Sequence, residues 1–143
     1  LGIGSQEDFL KEKVSLLKLE DRVVFAGFVP YKDIPLYLNI SHVFIRPSLS
    51  EGFGNSFIEA MASGVPVVAT RVGGIVDFLF DNQTGFFCEV KNPKSIADKV
   101  NEILSNQDLR DKVVENARKM VKEKYDWNII SKDMVHNVFN KIR

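Results

Sequence analysis

Two acidic residues and two glycines share one short stretch, Glu51-Gly52-Phe53-Gly54-Asn55-Ser56-Phe57-Ile58-Glu59. It runs from the end of an apolar segment, through a glycine loop, into a segment of helical period. Glycines on both sides of Phe53 let the backbone approach a ligand closely. The amides of Gly54, Asn55 and Ser56 then open a helix, where free N–H groups and the positive end of the dipole suit a phosphate. Glu59 lies about one turn beyond Asn55 and can hold a ribose diol without competing for those amides. Glu51 precedes the loop and can hold a second polyol. Carboxylates bracketing a phosphate-binding turn fit a ligand with hydroxyls at both ends and phosphates between, which describes a nucleotide sugar. The plain alternative is a strand–helix connection in which the glycines serve the turn and both glutamates are solvated. Against it, the small residues Ala60-Met61-Ala62-Ser63-Gly64 suggest a tightly packed helix, where an unpaired Glu59 is costly.

Other phosphate chemistry fails on spacing. Gly2-x-Gly4 would need glycine at position 7, which is Glu7; Gly52-x-Gly54 would need it at position 57, which is Phe57. Neither matches the dinucleotide fingerprint, and there is no Walker-type loop. Arg46 sits near the glutamates and could face a diphosphate, but a structural salt bridge is the favoured reading. His42 and His136 read as surface or helix-packing residues, and Cys88 as an inert packed thiol. Trp127 is expected to dock the last helix.

Short apolar runs alternate with helical segments. Strands are expected to end at Ile3 and to cover Val23–Ala26, His42–Ile45, Val65–Ala69 and Gly85–Cys88. Helices are expected over Glu7–Leu19, Lys32–Asn39, Ser56–Ser63, about Ile75–Phe80, Ser95–Leu104, Leu109–Lys124 and Trp127–Lys141. Alternation of this kind, with strands apolar on both faces, predicts an α/β fold: a Rossmann-like, three-layer α/β/α domain with a parallel sheet. Ligands bind outside the carboxyl ends of such strands, and the loops beginning at Gly4, Gly27, Pro47 and Thr70 lie there.

The chain has 143 residues, with nineteen Lys plus Arg against nineteen Asp plus Glu. Zero net charge supplies no overall pull toward nucleic acid. Hydrophobic residues at 45% and charged residues at 27% fit an ordinary globular domain, so residues 1–143 are expected to form one. A single cysteine excludes an intramolecular disulfide. Leu1 opens the chain without a Met and inside an apolar fragment. This reads as the end of a truncated first strand, and so as a piece of a longer protein.

Glu51 and Glu59 form a Glu-x7-Glu pair within Pro47-Ser48-x-x-Glu-Gly-Phe-Gly-x-x-x-x-Glu-Ala-x-Ala-x-Gly64-x-Pro66-Val-Val-Ala-Thr70-x-x-Gly73-Gly74. This string resembles the signature of the family 4 retaining glycosyltransferases of the GT-B fold. Asp21-Arg22-Val23-Val24-Phe25-Ala26-Gly27-Phe28-Val29, Asn82-x-Thr84-Gly85-Phe86 and Tyr125-Asp126-Trp127 extend the likeness over nearly the whole chain.

The resemblance implies a donor-binding C-terminal domain. Its substrate would be a UDP-, GDP- or ADP-sugar, its acceptor a glycan, a lipid-linked molecule or a small molecule, with no metal or other cofactor. Glu51 would take the catalytic position and hydrogen-bond the donor sugar. It stood as the nucleophile in older proposals, whereas newer ones favour front-face attack. Amides beside Gly52, at Phe53 and Gly54, would contact the sugar, and those of Asn55 and Ser56 the diphosphate. Glu59 would hold the ribose, backbone near Phe28 and Val29 would read the base, and Thr70, Gly73 and Gly74 would shape the wall. The family's Arg and Lys that neutralise the diphosphate would lie upstream, as would the N-terminal acceptor domain, the expected partner within the same chain. Asp77, Val76 and His42 depart from the usual Glu, Pro and acidic residue. The fragment alone is expected to bind donor weakly and transfer nothing. The parent enzyme is expected in the cytoplasm, with peripheral membrane contact where its acceptor is lipid-linked. Two alternatives keep the same pocket: a non-catalytic nucleotide-sugar-binding module, and a GT-B sugar-nucleotide epimerase.

Overall fold

The computed structural model describes residues 2–141 and divides the chain into two compact units, Leu1–Leu36 and Tyr37–Arg143. In the first unit, helix α1 covers Glu7–Leu16, with acidic Glu7 and Asp8 in its first turn where the dipole favours them. Glu7 also pairs with Lys11 one turn on, at 2.7 Å. No α1 residue is buried; Phe9 and Leu10 within it and Leu17 just after it remain exposed, because so short a unit has little chain to cover them. The expected strands ending at Ile3 and over Val23–Ala26 are not regular strands. The Gly2 N–H donates to the Gly27 carbonyl at 2.7 Å, and one such bond does not make a ladder. A 3₁₀ turn, Tyr31–Asp33, leads into helix α2, Ile34–Asn39, whose second half belongs to the next unit and carries buried Leu38.

The second unit is built on three parallel strands in the order β1 (Phe44–Arg46), β2 (Val67–Thr70), β3 (Phe86–Cys88). Phe44 stands opposite Val67, and Val68 opposite Phe86. All four β2 residues are buried, as expected for a central strand covered on both sides. Successive side chains point to opposite faces. On one face Phe44 meets Phe57 of helix α3 (Asn55–Ser63) edge to face, with centroids 5.6 Å apart. On the other, Val68, Phe86 and Cys88 pack with Ile103 of α4 (Pro93–Ser105) and Val113 of α5 (Gln107–Lys124). Helices therefore cover both sides of the sheet. Burial raises the Cys88 thiol pKa, which keeps it an inert core group.

Element ends follow the caps. Asn92 and Asn106 accept from Ser95 N–H and Leu109 N–H and start α4 and α5 two residues earlier than the apolar period implies. The fourth strand starts at Val67 rather than Val65 because the Val65 N–H is already donated to Ala60 in the last turn of α3. The expected helix near Ile75–Phe80 is a 3₁₀ turn, Gly73–Asp77. The last helix, α6, covers Trp127–Asn137 and continues as a 3₁₀ turn, Phe139–Lys141. Trp127 does not dock it: the ring is 77% exposed, and the helix is anchored instead by Asp126, whose carboxylate accepts from Asn128 N–H at 2.7 Å.

Candidate functional site at the glycine loop

The polypeptide leaves β1 at Arg46 and reaches α3 at Asn55, so the loop lies at the carboxyl end of a parallel strand. Gly54 is the N-cap of α3, with φ +80°. This left-handed conformation favours glycine, and a methyl group there would also run into the Phe57 ring. With glycine at the cap, no side chain satisfies the first amides of the helix. Those of Asn55 and Ser56 have no partner within the helix either. The helix start is a set of donors without a built-in acceptor.

The second wall is fixed by close backbone contact. The Gly74 N–H donates to the Gly52 carbonyl at 2.9 Å. A methyl on Gly73 would collide with the Glu51 carbonyl oxygen, and one on Gly74 with that of Gly52. The glycine pair is thus what lets the 3₁₀ turn lie against the loop. Thr70 is fully buried and donates its hydroxyl to the Ser48 carbonyl, tying the end of β2 to the start of the loop. Beyond the turn, buried Thr84 donates to the Phe78 carbonyl and accepts from the Phe80 N–H at 2.8 and 2.9 Å. These two bonds close the turn of Asn82-x-Thr84-Gly85.

The acids behave differently from each other. The Glu51 side chain is only 13% exposed and pairs with the Arg46 guanidinium at 2.9 Å. The favoured reading of Arg46 as a salt-bridge residue holds, and the bridge lies within the loop itself. Glu59 is half-buried and sits on the face of α3 that carries Asn55, away from the buried Phe57, Ala60 and Met61. The packed surroundings expected for it are therefore absent: the small residues pack on the opposite face, and solvent reaches the carboxylate. Phe28 and Val29 belong to the Leu1–Leu36 unit, and the other selected residues to Tyr37–Arg143. Each unit has an open hollow lined by other residues: about 390 Å³ beside Ile3, Leu10 and Phe25, and about 370 Å³ beside Arg118, Lys122 and Tyr125. His42 and His136 are exposed, and among the described residues no cluster of His, Cys, Asp or Glu could hold a metal ion.

A family model described as Glycosyl transferases group 1 matches residues 1–120. The chain belongs to that family. An uncharacterized glycosyltransferase of Methanocaldococcus jannaschii is 38% identical over 135 residues, which is 94% of this chain and 35% of that protein. The crystal structure of the C-terminal domain of a glycosyl transferase group 1 family protein from Francisella tularensis is 32% identical. It aligns with a TM-score of 0.77 over 87% of this chain and 66% of that one. Anabaena Alr3699/HepE, solved in complex with UDP-glucose, aligns with a TM-score of 0.88 at 26% identity, over 97% of this chain and 39% of that one. The chain spans about a third of the length of the curated relatives it matches. The fold class is the expected one, the Rossmann-like parallel-sheet domain of a GT-B glycosyltransferase.

One feature of the glycine loop was not read from the sequence. Phe53 does more than separate two glycines. Its ring packs on Phe78, with centroids 5.6 Å apart, and on Tyr125, at 5.5 Å, and so anchors the loop from the end of α5. Burial, then the nearby Asp77, raises the Tyr125 pKa, so the phenol stays neutral. The only sequence signal was an aromatic residue at the end of a long helix. A contact across about seventy residues leaves no periodicity to read.

Proposed function

We propose that this chain is the donor-binding domain of a retaining family 4 glycosyltransferase, acting on a UDP-, GDP- or ADP-sugar. The observation that carries the reading is the uncapped start of α3, with a mostly hidden carboxylate on one side of the glycine loop and an accessible one on the other. A diphosphate accepts the Asn55 and Ser56 amides at the helix start. As the bond from the anomeric carbon to the diphosphate breaks, negative charge develops on the leaving oxygen, where these fixed donors stabilise it. Glu51 and the amides of Phe53 and Gly54 hold the sugar, and Glu59 the ribose hydroxyls. The acceptor, a glycan, a lipid-linked molecule or a small molecule, is held by the rest of a longer protein working in the cytoplasm. The UDP-glucose complex of the Anabaena relative supports a nucleotide-sugar donor. No metal is needed for this arrangement, because the helix amides and the dipole supply the positive potential.

Glu59 gives the cleanest test of the ribose role, because it faces away from the core. Glu59→Ala is expected to weaken nucleoside diphosphate binding about tenfold, the loss of roughly one hydrogen-bonding contact to a charged group, while the melting temperature without ligand barely changes. A thermal-shift panel of UDP, GDP and ADP, in which a binding ligand raises the melting temperature, measures both. Equal shifts for wild type and variant would remove the ribose role.

A further inference from the structure

Arg46 makes three contacts that together span the glycine loop. Its Nη2 pairs with Glu51 Oε2 at 2.9 Å, before the loop. Its Nη1 donates to Ser56 Oγ at 2.8 Å, in the first turn of α3. Its guanidinium carbon lies 5.5 Å from the centroid of the Phe57 ring, which is fully buried and fixed by the core. The planar fork of arginine suits two partners at once. The aromatic face beneath it adds a cation–π contact that orients the plane. Arg46 itself is the last residue of β1, held in register opposite Ala69 of the central strand. The rigid sheet therefore sets where the fork lies, and the fork sets the separation of the two loop ends.

We propose that Arg46 is the positioning residue of this site. It fixes the distance between the carboxylate that holds the sugar and the helix start that holds the diphosphate, and so favours a diphosphate carrying a sugar over the bare nucleotide. This rests on the donor-binding reading above. A bare nucleoside diphosphate uses the helix amides and Glu59 but not Glu51, so it needs only one end of the clamp. A sugar nucleotide uses both ends, and its extra affinity depends on their being held at the right spacing before binding. Losing the clamp therefore reduces the preference for the sugar nucleotide more than it reduces nucleotide binding itself.

The test compares affinities for three pairs of probes, UDP with UDP-glucose, GDP with GDP-mannose and ADP with ADP-glucose, by calorimetric titration of wild type, Arg46→Gln and Arg46→Lys. For the pair that wild type binds, Arg46→Gln is expected to lose about tenfold or more toward the sugar nucleotide and less than about threefold toward the bare nucleotide. Lysine offers one compact charge instead of a fork, so Arg46→Lys keeps most nucleotide affinity but does not restore the preference. It also supplies the measurement if the glutamine variant fails to fold. Equal losses for both members of a pair, no loss, or full rescue by lysine would overturn the clamp while leaving the donor-binding reading intact. Wild type binding none of the six probes would overturn the donor-binding reading, and the clamp with it.

Discussion

Phe57→Ala is expected to destabilise the Tyr37–Arg143 unit by about 3–5 kcal/mol, the usual cost of emptying a fully buried aromatic site. The ring is fully buried and touches three separate parts of the fold. It meets Phe44 of β1 edge to face, lies 6.0 Å from the Phe78 ring, and supports the Arg46 guanidinium. Those contacts join the sheet, the turn after Gly74 and the loop, so little can collapse into the space left behind. Typical domains have only about 5–15 kcal/mol of stability in total, so the variant should be near its limit at room temperature. Urea denaturation followed by circular dichroism gives the difference. A loss below about 1 kcal/mol would mean that the ring is not the keystone its contacts indicate.

The second large effect is expected at Gly74. An alanine methyl there meets the Gly52 carbonyl oxygen, which is backbone and cannot rotate aside. Relief requires the 3₁₀ turn and the glycine loop to separate, which breaks the bond from Gly74 N–H to Gly52. Overpacking of this kind costs about 1–3 kcal/mol, and nucleotide-sugar affinity should fall by at least about tenfold, because the loop amides move with it. Gly4→Ala is the control for stability, since nothing lies within 4 Å of the added methyl. Titration and urea melts of both variants check this. A Gly74→Ala protein that binds like wild type would show that the close contact does not set the loop.

The sequence made the outline of this site readable because its signals are local. Gly54 followed by a helical period marks a helix start, and the β-branched run around Val67–Val68 marks a buried strand. Both depend on neighbours within a few residues. Other features were hidden or misread for several reasons. Trp127 looked like a docking residue because large aromatics usually bury, yet the helix is held by the Asp126 cap and the ring lies in solvent. Val23–Ala26 has strand composition, but a strand also needs a ladder partner, and composition does not supply one. Glu59 looked packed because small residues follow it. Helical periodicity instead puts Phe57, Ala60 and Met61 on one face and Glu59 on the other. Phe53 showed no sign of its contact with Tyr125, because the two residues are joined only by the fold. Arg46 was legible in kind, as an ion-pair residue, but not in reach: its second bond, to Ser56 Oγ, depends on how the loop closes.

On the donor-binding reading, the start of α3 receives the diphosphate. This is tested most directly by following backbone amide resonances of the chain while UDP, GDP or ADP is titrated to millimolar concentration. Gly54, Asn55 and Ser56 are expected to shift first and most, saturating together with a single dissociation constant, with Phe53 following when a sugar nucleotide replaces the diphosphate. Saturable shifts confined to other segments, with these three amides unmoved, would contradict it.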